Sequence, residues 1–166
     1  MTEMSELITL HLYAEDYDLK KSWQLVEWCL SQGADEWTIS QVTVQKENTP
    51  LFDQFDAATA ALRRPTVVRE HLTAYSHNGF TRPANLWTLT PAAFPVLQEF
   101  LPLGPFAYQS GPEGWFEDLE VYRRGELMLG VVSHEQEGVL RVTESERTLL
   151  IGRGFPFRVN GSYVGY

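Results

Sequence analysis

The chain has 166 residues, enough for one domain with a real core, and its 43% hydrophobic and 13% aromatic content excludes a disordered protein. Its formal net charge of −9 repels phosphate backbones and argues against a nucleic-acid partner. No apolar run reaches the roughly 18–20 residues of a membrane span. The acidic start Met1-Thr2-Glu3-Met4-Ser5-Glu6 lacks a signal peptide's basic residues, and the single Cys29 permits no intramolecular disulfide, so a reducing, cytoplasmic setting is expected.

Residues 7–13 alternate Ile8, Leu10 and Leu12 with Thr9, His11 and Tyr13, which predicts a half-buried strand. Asp18 is a helix cap, and the helix runs to about Gln32 and stops at Gly33. Leu19, Trp23, Val26 and Leu30 form its core stripe. Trp28 falls on the far side of that stripe, so it either packs under another segment or anchors a partner. Residues 37–44 form the next strand, with a phase slip between Ile39 and Val42 that predicts a bulge. Strand, helix, strand suggests a βαβ unit. Thr49-Pro50 opens a second helix, with Arg63 and Arg64 at its C-terminal end and Pro65 as its stop. Residues 66–75 fit strand or helix, and the Asn78-Gly79 turn after them favours strand. Pro83 makes residues 80–89 an edge or irregular strand, and Thr90-Pro91 starts a short helix through Phe100, with Pro95 bending it. The Pro- and Gly-rich residues 101–114 form a surface loop at which the chain could divide.

Residues 115–150 carry the clearest pattern. Arg124-Gly125 lies between two apolar runs and predicts a hairpin. Pairing Tyr122 with Leu127 then sets Val121 against Met128, Leu119 against Gly130 and Trp115 against His134. Residues 135–138 make a polar turn, 139–142 a third strand, and Thr143 with Glu146 a capping box. Leu149, Leu150 and Ile151 are expected to be that helix's buried end. In the tail, Asn160-Gly161 can turn a small hairpin. The sum is one α+β domain: a mixed, mostly antiparallel sheet of five to seven strands with three or four helices packed on it.

The charge is unevenly spread: −8 over residues 1–60, +2 over 61–112 and −3 over 113–166. The basic middle holds Arg69, His71, Tyr75, His77, Asn78 and Arg82, whose guanidinium and imidazole donors suit a small anion. His134 with Glu135, Glu137, Glu117 and Asp118 is a candidate general acid–base cluster, walled by Trp115. No dinucleotide or phosphate-loop fingerprint is present, and the four scattered histidines predict no metal site and no cofactor. Cys29 on an apolar helix reads as a buried hydrophobe. Three functions follow. The first is an acidic binding protein for a basic protein partner, an immunity-type inhibitor of a toxin domain being one form. It would use Trp28, Asp35 and Glu36, with Asp16, Asp18 and Glu47 steering. The second is a small-anion-binding module built on residues 63–82. The third is a hydrolase or transferase using His134 with a carboxylate.

Overall fold

The computed structural model describes residues 5–43, 49–72, 80–159 and 162–163. Tyr75, His77, Asn78-Gly79, Glu47 and Asn160-Gly161 lie outside them.

The protein is α+β. Its nine strands are β1 (Ile8–Tyr13), β2 (Glu36–Val42), β3 (Arg63–His71), β4 (Phe80–Thr88), β5 (Trp115–Arg123), β6 (Glu126–Val132), β7 (Glu137–Val142), β8 (Arg158–Val159) and β9 (Ser162–Tyr163). They form one sheet in the order β3-β4-β2-β5-β6-β7-β1-β8-β9, and every described pairing is antiparallel. The helices are α1 (Leu19–Ser31), α2 (Pro50–Thr59), α3 (Ala93–Phe100) and α4 (Glu144–Gly152). The sheet thus exceeds the expected five to seven strands, because the tail adds β8 and β9. β1 and β2 do run parallel, but β5, β6 and β7 stand between them, so the expected βαβ unit is split. Strands from before and after residues 101–114 sit side by side, β2 lying between β4 and β5.

Local chemistry sets the element ends. The Asp18 side chain accepts the Lys21 N–H at 2.6 Å to cap α1, and Gly33 follows its end in the left-handed region. Thr143 and Glu146 form the reciprocal capping box of α4. Arg124 and Gly125, at φ 52° and 78°, make the β5–β6 turn with both central residues left-handed, the twist a tight hairpin favours. Pro95 lies in the first turn of α3, where its missing N–H is not needed, and so does not bend it.

The helix at Pro50 ends earlier than expected. A 3-10 turn follows at Ala60–Leu62, and Arg63, Arg64 and Pro65 belong to β3. Pro65 sits where the β3–β4 register slips, between Arg64 and Val67, on the outermost strand. β4 tolerates Pro83 because it pairs with β2 only at Trp87 and Thr88.

One sheet face carries the main core. Leu10, Leu12, Val121, Leu129 and Leu140 meet Trp23, Leu25, Val26 and Cys29 of α1. Trp37 stacks on Trp87 across the β2–β4 pair at 4.8 Å, and Phe55, Phe100 and Phe116 close around them or beside them edge-on and tilted. α1 buries a wider arc than the expected stripe: Trp28 is only 2% exposed, whereas Leu19 faces solvent. Of Leu149, Leu150 and Ile151, only Leu150 is buried, since three successive helical residues fan over about 200°.

The other face is covered by the end of the β3–β4 hairpin, which curls over β5, β6 and β7. Leu72 lies over Gly130 of β6, where an added Cβ would collide with the Leu72 side chain. A smaller cluster of Ala84, Leu86, Tyr122 and Leu127 fills the space beneath.

Two measurements check these assignments. Trp23→Ala should cost roughly 3–5 kcal/mol in chemical denaturation, and the exposed Gln24→Ala should stay within about 0.5 kcal/mol. Gly130→Ala should destabilise by roughly 1–3 kcal/mol, and adding Leu72→Ala should recover part of that loss in a double-mutant cycle. Additive losses would mean that Leu72 does not rest on Gly130.

Candidate functional site

Two clusters collect the candidate residues. The first lies where β5 begins and β6 ends. β5 carries Phe116, Leu119 and Val121 in the core, a spacing of three then two that plain alternation cannot bury on one face. The strand solves this with a bulge: Asp118 and Leu119 together oppose Ile39, and Asp118 adopts φ 58°. The phase slip expected on β2 is thus the partner strand's extra residue. The bulge turns Phe116 inward and leaves Trp115 and Glu117 together on the opposite side.

The hairpin register begins as expected, with Tyr122 opposite Leu127, and then slips. Met128 is an extra residue, so Val121 faces Leu129 and Glu120 faces Gly130. Leu127 and Leu129 consequently serve opposite faces, one in each cluster. His134 is not on the strand but in a 3-10 turn at Ser133–Glu135, closed by Gln136 at φ 54°. It nevertheless shares neighbours with Trp115. Glu117 Oε2 accepts the Trp115 Nε1–H at 3.0 Å and lies 3.4 Å from His134 Nε2. Tyr108, from the loop before β5, lies 4.2 Å from the His134 ring and stands edge-on to Trp115 at 6.1 Å. Nothing in the sequence of that Pro- and Gly-rich loop singles out Tyr108.

Asp118 plays a backbone role. Its Oδ1 accepts the Ser133 N–H at 2.8 Å, and its own N–H donates to Ser133 Oγ at 3.0 Å, which ties the bulge to the end of β6. Burial raises its pKa, with the Ser133 N–H pulling the other way and the Glu117 and Glu120 charges adding to the rise. Glu135 is exposed in the turn and makes no side-chain ion pair among the described residues. The acid–base cluster is therefore a pair, exposed His134 with largely buried Glu117, and Asp118 and Glu135 stand apart from it.

The second cluster lies under the β3–β4 hairpin, and here the sequence candidates hold one another. Glu36 is buried, with Arg69 Nη2 at 3.1 Å and Arg64 Nε at 3.6 Å. It is a structural acid, not the surface steering group expected. Asp35 is exposed, 3.9 Å from Arg64. His71 is buried with its Nδ1 at 2.6 Å from Glu120 Oε1, and the Leu72 N–H donates to Glu120 Oε2 at 3.1 Å. The Tyr122 hydroxyl donates to the Glu70 carbonyl at 2.7 Å, and the Glu70 carboxylate takes both Arg141 nitrogens at 2.6 and 2.8 Å. That Arg141 hydrogen bond holds the Glu70 pKa below the usual range, against the effect of burial. Arg82 sits opposite Arg69 and turns over the Phe80 ring at 5.6 Å. Arg69 and His71 are thus engaged by the protein's own carboxylates, and an anion would have to displace those. Glu120 and Arg141, which complete this network, carry no local sequence signal; only the fold brings them under β3.

The remaining candidates are internal. Trp28 is buried, which removes it as an exposed anchor. Cys29 is fully buried, and burial pushes its thiol up to about 12, so it is a protonated hydrophobe at neutral pH. Among the described residues no three His, Cys, Asp or Glu side chains converge as metal ligands would, and no helix is long and apolar enough to cross a membrane. No protein-family model, no curated protein and no solved structure matches this chain.

The strained Asp118 gives a test with a sign. A raised carboxyl pKa means that its ionised form costs folding stability at neutral pH, and that the cost fades as pH falls through the raised value. Asn also tolerates the left-handed region and keeps an oxygen for the Ser133 N–H. Asp118→Asn should therefore match or exceed the parent at pH 7, by up to about 1 kcal/mol, and the gain should vanish in acid. Asp118→Ala should cost roughly 2–4 kcal/mol, because it loses the acceptor and sits at positive φ. Equal losses for both in urea titrations at pH 7 would refute the backbone role.

Proposed function

We propose that the chain is a binding protein that recognises a basic protein partner through its acidic surface, an immunity-type inhibitor of a basic toxin domain being one concrete form. One observation carries this reading: the fold spends its positive charge on itself. Arg64, Arg69, Arg123, Arg141, Arg147 and Arg158, six of the ten arginines, lie in ion pairs with the protein's own carboxylates. Glu27, Asp53, Asp56, Glu99, Glu113 and Glu135 are meanwhile exposed, and none forms an ion pair among the described residues. Within the basic middle third, Arg64 and Arg69 face Glu36 and His71 faces Glu120, so these groups are engaged locally, and the net charge of −9 sets the long-range field. Such a field steers oppositely charged proteins together before contact.

The test is kinetic. A partner captured from the source organism's lysate on the immobilised chain, then made pure, should associate with an on-rate that falls at least about tenfold between about 0.05 and 0.5 M salt. The off-rate should change less. Asp53→Lys with Asp56→Lys, on the outer face of α2, should slow association, and Arg63→Ala should leave it unchanged or slightly faster. A salt-independent on-rate, read by stopped flow, would overturn the proposal.

A further inference from the structure

We propose that Glu117, with Trp115, Tyr108 and His134, forms the seat for an arginine side chain presented by the basic partner. The inference deepens the function proposed above and rests on it for the identity of the partner. The buried carboxylates differ in their partners. Glu36 faces two arginines and Glu120 faces His71. Glu117 is comparably enclosed, with 11% of its side chain exposed, yet it contacts no arginine or lysine among the described residues. It has one neutral donor, the Trp115 indole N–H at 3.0 Å, and an imidazole nitrogen at 3.4 Å. A carboxylate desolvated to this degree gains most from a cation that completes its hydrogen bonds.

The surroundings select the shape of that cation. Tyr108 and His134 are both open to solvent, His134 with 55% of its side chain exposed, and with Trp115 they offer three ring surfaces around Glu117. A guanidinium plane can lie on such rings while its N–H groups reach the carboxylate, which an ammonium does less well. The protein's own cation–π pairs involve Trp87, Phe80 and Tyr13, so among the described residues no cation lies over these three rings, which contact one another. Exposed Glu113 and Glu135 flank the cluster in sequence and add attraction of the same sign.

A separate groove of about 240 Å³ has a lining that includes Leu19, Leu103, Phe106, Ala107 and Gln136. Ala107 adjoins Tyr108 in the chain, and Gln136 follows the His134 turn. Leu103, 66% exposed, and Leu19 present apolar surface there, with Glu15 and Asp18 also lining the groove and no lysine or arginine among its walls. An arginine on Glu117 with an apolar neighbour in the groove fits this combination.

The seat can be tested without the partner. The full chain, with ¹⁵N-labelled tryptophan, is titrated with acetyl-arginine amide and with its neutral isostere acetyl-citrulline amide, the Trp115 indole signal being assigned by Trp115→Phe. Arginine amide should shift that signal saturably, with a Kd on the order of 10 mM, and citrulline amide should bind at least about fivefold more weakly. Glu117→Gln, which keeps an oxygen for Trp115, should weaken the arginine probe to the citrulline level. Tyr108→Ala, at an exposed ring, should weaken it severalfold in a chain whose other indole signals stay in place. No shift, or equal binding of the two probes, would overturn the seat while leaving the salt-steered association standing. Conversely, a salt-independent partner would remove the proposed function and leave the probe result intact. With a purified partner, Glu117→Gln should speed dissociation about tenfold and change the on-rate less than twofold. An unchanged off-rate would show that the partner does not use the seat.

Discussion

Two carboxylates, Glu36 on β2 and Glu120 on β5, stand on the sheet face away from the helices, and the path of the β3–β4 hairpin follows from compensating them. A buried charge left alone costs several kcal/mol. β3 supplies the compensation in order along its length: Arg64 and Arg69 reach Glu36, and His71 reaches Glu120. Glu70 then continues the same line to Arg141 on β7. The hairpin therefore crosses the sheet instead of extending it outward. Replacing such a network with apolar residues is often neutral for stability, whereas removing one partner strands a buried charge. A one-residue slip of β3 would move Arg69 and His71 to the wrong face and strand both carboxylates. The same crossing buries Leu72 on Gly130, which explains a glycine in the middle of a central strand.

The two bulges have a comparable hold over the candidate site. Without the extra residue at Asp118, Glu117 would point into the aromatic core and Phe116 out of it. The reciprocal Asp118–Ser133 hydrogen bonds fix the bulge to the end of β6, where the chain turns into the His134 segment. Glu117 and His134 thus meet because one strained residue binds both strands. The strain and the buried carboxyl are stability costs concentrated at the one place where rings, a carboxylate and an imidazole come together. In the core such a bulge is needed only for packing. At this edge it also sets which side chains face solvent.

The sequence reveals the features that depend on neighbours a few residues apart. The Asp18 cap, the Thr143–Glu146 box, the Thr49-Pro50 start and the Arg124-Gly125 turn all appear where local chemistry puts them, because each is satisfied within one turn of chain. What the sequence hides depends on distant partners. Arg63 and Arg64 look like a helix C-terminus, yet β4 pairs with them and overrides the dipole preference. Trp28 looks like an outlying tryptophan because a helical wheel knows one face, while α1 is covered on more than one. The Met128 bulge is invisible in a run of apolar residues that suit either side. The Asp118 bulge did leave a mark, in the spacing of Phe116, Leu119 and Val121, but the carboxylate that it exposes gains meaning only beside Tyr108 and His134, far away in the chain.

Charge shows the same division between local and global. Read along the chain, the protein has an acidic start and a basic middle. Folded, Arg64 and Arg69 of the basic middle face Glu36, His71 faces Glu120, Arg63 and Arg82 lie over the Trp87 and Phe80 rings, and acids of α2 and α3 face water. Long-range attraction depends on that summed surface and is insensitive to any one residue's geometry. Short-range selection depends on a desolvated group with a fixed shape, and Glu117 among its rings has that character. In the proposed function the two demands would fall on different residues: exposed carboxylates on α2 and α3 for the field, one enclosed carboxylate on β5 for the contact. An acidic surface alone would hold many basic proteins weakly. An enclosed carboxylate alone would choose among them but meet them slowly. The hairpin whose Arg64, Arg69 and His71 engage the other two buried glutamates makes no described ion pair with this one, and the proposed function would use both kinds of carboxylate.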